Sequence, residues 1–150
     1  MLIQVKNADS GDELPLQQLT QSLQCLMRPA SSCQAATLQI YAIPALVACL
    51  QSDPTIVLSA LKHIAEFAAF VQPGESMDQI SGPTWGLRRK ALTAVAAMCK
   101  ACGAVILPYL EELRMWCAHL AKDGRLTASE EACMLECIFQ ARTLFLSRLN

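Results

Sequence analysis

Aromatic side chains are scarce in this chain, at 5% of its 150 residues. A sheet core rich in Tyr, Trp and Val is therefore not expected. The apolar mass is Leu, Ala, Val, Ile, Cys and Met, which suits helices packed on helices. Charge is scarce too. Charged residues make up 17%, and 12 basic against 13 acidic side chains leave a net charge of −1. No overall field gathers nucleic acid or anionic lipid, so any such contact must come from a local patch. Neither a GxGxxG nor a P-loop occurs in the chain, so no sequence signature of a dinucleotide or nucleotide cradle is present. Disorder is excluded from the other side: 53% of the residues are hydrophobic and the mean hydropathy is +0.32, ample apolar surface for a core.

The longest stretch without a charge runs from Pro29 to Ser52. Its apolar part is only Ile40 to Leu50, with Pro44 inside, and its first half carries Ser31, Ser32, Gln34, Thr37 and Gln39. A membrane span takes about 20 mostly apolar residues, so this stretch falls short. The first residues, MLIQVKNADSGDE, lack the basic start and apolar run of a signal peptide. The expectation is a soluble, intracellular chain without membrane contact. Eight cysteines invite a disulfide framework, but nearly all fall inside apolar helical patterns, where thiols pack as small hydrophobes; reduced core cysteines are expected.

The helical period recurs along most of the chain. The spacing predicts a first helix over Leu14–Met27, with Leu16, Leu19, Leu23 and Leu26 on one stripe, and a second over Ser32–Gln51 that Pro44 kinks or restarts. Asp53 as cap and Pro54 at the first helical position open a third, on which Val57, Leu61, Ile64, Ala68 and Val71 recur. Residues 72–83, QPGESMDQISGP, read as a long loop. A fourth helix, Thr84–Cys102, shows Leu87, Ala91, Ala94, Val95 and Met98, with Gly103 suited to its C-terminal turn. A fifth, Val105–Lys122, carries Ile106, Leu110, Leu113, Cys117 and Leu120. The sixth opens at Thr127 with Glu130 three residues on, a capping box, and runs through Leu135, Ile138 and Phe139 to about Leu146.

Six helices of similar length with short turns make a bundle or a solenoid. Helices four and five read RRKALTAVAAMCKACGAVILPYLEEL: basic and small apolar residues, Gly at the turn, then aliphatic-Pro-x-Leu. This matches the HEAT-type pattern, whose units run about 40–47 residues, and Ile43-Pro44-Ala45-Leu46 echoes Leu107-Pro108-Tyr109-Leu110. The expected fold is all-α: a HEAT-type α-α superhelix (solenoid) segment spanning residues 1–150, about three antiparallel helix pairs stacked side by side, with the long loop at 72–83. Phe139, Leu144, Phe145, Leu146 and Leu149 leave the last helix apolar, so either a longer array or something that covers that end is expected, since solenoids close on polar caps.

Candidate chemistry is thin. His63 and His119 both lie mid-helix, with no strained turn to present a nucleophile. Cys99-Lys100-Ala101-Cys102 has CxxC spacing, but it sits at a helix C-terminus, where the dipole raises a thiol pKa, and no second ligand pair for zinc follows. Cys133 and Cys137 share one helix face. No catalytic, metal or cofactor residue is assigned. The densest charge cluster is Arg88-Arg89-Lys90. It reads either as a solvated helix face or as a phosphate or acidic-peptide contact, and three adjacent residues cannot all point one way. On helix five, Glu111, Glu112, Trp116, His119 and Lys122 form a mixed surface on which Trp116 suits a protein contact. The partner-contact candidates are thus Arg88, Arg89, Lys90, Trp116, His119 and Lys122.

From Trp85 to Phe145 the chain resembles the middle HEAT repeats of the exportin-5 branch of nuclear export receptors, in the importin-β (karyopherin) superfamily. Arg88, Arg89, Met98-Cys99, Leu107-Pro108, Leu126-Thr127, Glu130 or Glu131, and Leu135-Glu136 carry the resemblance, and most of these are packing positions. The resemblance implies a non-enzymatic receptor shuttling between nucleus and cytoplasm. Its implied partners are Ran in its GTP form, structured double-stranded RNA such as microRNA precursors or protein cargo, and nucleoporin phenylalanine-glycine repeats in apolar grooves separating outer helices. No cofactor and no small-molecule substrate are implied. The other reading is a HEAT/armadillo protein-interaction scaffold without a Ran cycle; a closed helical bundle with a thiol-based activity is a third.

Overall fold

The computed structural model describes residues 13–149, and among them every regular element is a helix; the sole β feature is an isolated bridge between Ser76 and Gln79. Helix α1 spans Glu13–Leu26, α2 Cys33–Ala48 and α3 Pro54–Glu66, which runs on into a 3-10 turn at Phe67–Ala69. Helix α4 spans Gly82–Ala101, the short α5 Gly103–Ile106, α6 Leu110–Lys122 and α7 Ala128–Leu149.

Local chemistry explains most of the boundaries. The Ser32 hydroxyl accepts from the Ala35 amide at 3.2 Å and starts α2. Asp53 Oδ1 accepts from Thr55 and Ile56 at 3.1 and 3.4 Å, with Pro54 in the first turn of α3. These contacts use amides that have no partner within the helix. At the end of α6, Gly124 adopts φ +72°. Its amide donates to Ala121 O, and the Arg125 amide to Leu120 O, the crossed pair of bonds that needs a left-handed residue. Helix α7 opens on the reciprocal box: the Thr127 amide donates to Glu130 Oε1 at 2.9 Å, and the Glu130 amide to Thr127 Oγ1 at 3.1 Å.

Several expectations need correction. Pro44 does not restart the second helix: α2 continues through it. The fifth helix is not continuous. It breaks into α5, a 3-10 turn at Leu107–Tyr109 and α6, because Pro108 has no amide to donate. At the junction of α4 and α5 the axis bends by 87°, so this pair crosses nearly at right angles and is not antiparallel. Gly103 takes no left-handed turn there. It faces α7, where an added Cβ would meet Ala141 O at 3.4 Å, an ordinary contact. Leu16 is exposed, leaving Leu23, with Leu19 and Leu26 beside it, to anchor α1; Phe139 is 43% exposed. The side chains of Phe145 and Leu149 lie outside the described residues.

Packing falls into two rows. In one, α4 lies between α2 and α7 and packs on both. In the other, α3 packs on α5, and Lys62 of α3 meets Glu112 of α6 at 2.6 Å. The rows are stitched by α2–α3, α3–α4, α5–α7 and α6–α7 contacts, and α1 packs on α2. Ile43, Val57, Ile64, Val95, Ile106, Leu113 and Met134 belong to one continuous buried cluster. Among the described residues no single helix is long and apolar enough to cross a membrane.

Candidate functional site

Helix α2 carries no charged residue. Its core stripe is Ala36, Ile40, Ile43 and Val47, all buried. Gln34, Leu38, Tyr41, Ala45 and Ala48 recur at spacings of four, three, four and three and face solvent, Leu38 and Tyr41 at 67% exposure each. Across the seam, α4 presents the small residues Gly86, Ala94, Ala97 and Ala101 beside Arg89, Lys90 and Thr93.

The result is a groove along the α2–α4 seam. Its centre is a cavity of about 540 Å³ lined by Ile40, Tyr41, Pro44, Gly86, Arg89, Lys90, Thr93, Ala94 and Ala97. A second cavity, about 470 Å³, shares Tyr41, Gly86 and Lys90 and extends to Cys33 and Pro83. A third, about 250 Å³, shares Pro44 and Ala97 and reaches Ala48 and Ala101. Arg89 and Lys90 are the charged residues in this lining, and no Asp or Glu contributes to any of the three. The threonine hydroxyls of the groove are already used: Thr37 Oγ1 donates to Cys33 O at 2.7 Å and Thr93 Oγ1 to Arg89 O at 3.1 Å.

The candidate contact residues separate. Arg89 and Lys90 are exposed on the groove. Arg88 is not a surface contact: it is 0% exposed. Its Nε and Nη2 donate to the two carboxylate oxygens of Glu130 at 2.8 and 2.6 Å. Nη1 donates to Phe70 O at 3.0 Å and Nη2 to Arg125 O at 2.9 Å. The Trp85 ring lies 5.3 Å from the guanidinium carbon. Arg88 shares a stripe with Ala91, Val95 and Met98, and that spacing was the available sign that it points inward. Trp116 is half-buried against the core, while His119 and Lys122 are exposed on α6 outside the groove lining. His119 Nε2 lies 3.9 Å from Asp123 Oδ2.

His63 Nε2 lies 2.5 Å from Gln39 Oε1, and its ring packs edge-on against Phe67. Burial lowers its pKa, against a smaller upward pull from Glu66. All eight cysteines are free thiols; Cys25, Cys49 and Cys133 are exposed, which corrects the expectation that nearly all are in the core. Burial pushes Cys99 up to about 12, and Cys117 and Cys137 to about 11. Cys102 is raised by burial as well. A CxxC pair held this way is biased toward neutral thiol, the opposite of what a redox nucleophile requires.

The groove's residues, Leu38, Tyr41, Pro44 and Ala97, were not among the sequence candidates. The charge-free run from Pro29 to Ser52 was the sign that could have found them, since an exposed helical stripe without charge is unusual outside an interface. The arrangement is suited to holding a partner's apolar surface. No family model, curated protein or solved structure matches this chain.

Proposed function

We propose that the chain is a HEAT-type solenoid segment of an exportin-5-like nuclear export receptor, without enzymatic activity of its own. The single observation that carries this reading is the row α2–α4–α7, in which the middle helix packs on both flanking ones, as it does when repeat units stack on their neighbours. The resemblance from Trp85 to Phe145 supplies the lineage.

In such a receptor each unit contacts its neighbours, so small rotations at successive seams sum to a change of curvature. Ran-GTP and cargo, structured double-stranded RNA or protein, each favour the closed curvature. Their binding is therefore reciprocally coupled, and GTP hydrolysis in the cytoplasm releases the cargo. With a net charge of −1 and Arg88 engaged internally, this segment is not the main cradle for an RNA backbone, which is gripped through many cationic contacts.

A second reading, a HEAT/armadillo scaffold without a Ran cycle, is favoured by the burial of Arg88, which takes one cation from the only dense basic cluster. Pull-down of the natural full-length polypeptide with Ran locked in its GTP or GDP form separates the two. Retention with the GTP form alone is expected. Equal retention, or none with either, overturns the receptor reading and leaves the scaffold.

A further inference from the structure

The α2–α4 groove has a composition that goes beyond a general apolar seam, and what it selects does not depend on a Ran cycle. We infer that it is the docking site for an acidic amphipathic α-helix of a protein partner. Three features of the groove lead there.

The first is length and shape. On α4 the lining runs from Pro83 to Ala101, about 27 Å at the α-helical rise. Its lining on α4 includes the small residues Gly86, Ala94 and Ala97, and the two helices that border it are already packed against each other. A valley of this kind takes the ridge of a third helix.

The second is hydrogen bonding. Apart from the one carbonyl that Pro44 leaves without a helical partner, the backbone groups along α2 and α4 are engaged within their own helices, and Thr37 and Thr93 donate to carbonyls one turn back. An extended peptide laid here would leave its own amides and carbonyls against apolar surface without partners, a costly arrangement. A helix satisfies its backbone internally and needs from the groove only apolar contact along one stripe.

The third is charge. Arg89 and Lys90 border the central cavity, with no carboxylate in the lining of any of its three parts. Neither residue makes an ion pair among the described residues. Glu or Asp beside the apolar stripe of the incoming helix would find both cations available, while Lys or Arg there would be repelled. The two cations therefore select the partner's sign and its orientation, and Leu38, Tyr41 and Pro44 provide the apolar contact.

The test uses the 150-residue chain and synthetic helical peptides of about 18 residues, identical in their Leu stripe and flanked by either Glu or Lys, with affinities read by fluorescence anisotropy. The Glu-flanked peptide is expected to bind saturably and about tenfold tighter than the Lys-flanked one at low salt, the gap narrowing as salt rises. Ala97→Glu, at an exposed position, should abolish binding of the Glu-flanked peptide. Arg89→Glu with Lys90→Glu should reverse the preference in favour of Lys flanks. Far-UV circular dichroism and the melting temperature confirm that each variant is folded. Equal affinity for both peptides, indifference to Ala97→Glu, or no saturation with the Glu-flanked peptide overturns the inference. So does an extended phenylalanine-glycine peptide binding as tightly as the helix, or phosphatidylserine vesicles binding where the peptide does not. None of these outcomes bears on the Ran-dependent retention that tests the receptor reading.

Discussion

Arg88 and Glu130 lie 42 residues apart in sequence and meet through two hydrogen bonds of 2.8 and 2.6 Å. The contact joins the first turns of α4 to the opening of α7, and the guanidinium donates further to Phe70 O, to Arg125 O and, at 3.6 Å, to Met77 Sδ. Four segments of chain thus converge on one cation. A buried ion pair gains its stability only when every donor is satisfied, and removal of one partner leaves a bare charge inside. Arg88→Leu should therefore cost about 3–5 kcal/mol, a large share of the stability of an ordinary domain. The double variant Arg88→Leu with Glu130→Leu should recover part of that loss, because no orphan charge remains. Urea unfolding followed by circular dichroism is the measurement. A double variant less stable than the single one would contradict this account.

Acid should weaken the same region. For Glu130, burial pushes the pKa up, but the hydrogen bonds from Arg88 and Thr127 and the Arg88 charge outweigh it, and the net direction is downward. Glu75 is lowered from 4.5 to about 2 by hydrogen bonds from Ser81, Thr84 and Gln72. A carboxylate lowered by folding contributes stability above its unfolded pKa and loses it as pH falls through the folded one. The melting temperature should thus be level above about pH 5 and fall between 4.5 and about 2, and Glu75→Gln should flatten that acid limb.

The thiols divide by burial. At pH 8, Cys25, Cys49 and Cys133 should react first with a disulfide reagent in the native state, Cys33 more slowly, and Cys99, Cys102, Cys117 and Cys137 only on unfolding. The sign of their pH dependence is opposite to that of the carboxylates. A raised thiol pKa stabilises the fold below the unfolded value of 9, and that contribution is lost as pH climbs from there toward about 12 at Cys99. Rapid native-state reaction of Cys99 or Cys102 would revive a thiol-based activity.

Asp53→Ala should destabilise the chain by about 1 kcal/mol, by removing the acceptor for two amides of α3, whereas Asp53→Asn should cost little. Thermal unfolding of the two variants makes the comparison.

Pro44→Ala is expected to stabilise. Proline inside α2 leaves one carbonyl without its helical partner, a defect of up to about 3 kcal/mol in an isolated helix, and alanine restores the bond. A rise in the melting temperature would support this; a fall would mean that packing of the ring outweighs the lost hydrogen bond.

The helical class and most helix starts were legible in the order of residues alone. Ser32, Asp53–Pro54 and the Thr127–Glu130 box act on amides two or three positions away, so their effect requires no distant neighbour. The direction of Arg88 is a different matter. Arg88, Arg89 and Lys90 occupy successive 100° steps around α4, and the stripe of Ala91, Val95 and Met98 hinted at which turns inward, but the partner that satisfies it there, Glu130 of α7, is brought by packing between distant helices. The groove was hidden for a related reason. Helix α2 has no charged face to mark its outside, so either stripe could have been covered until α3 and α4 packed against Ile43 and Val47 and left Leu38 and Tyr41 in water. Likewise, Pro108 announced a break, whereas the size of the bend beside it, 87°, shows only in the packed helices. Capping is a contact within one turn of chain, whereas the choice of which surface is buried and which stays open belongs to helices far apart in sequence.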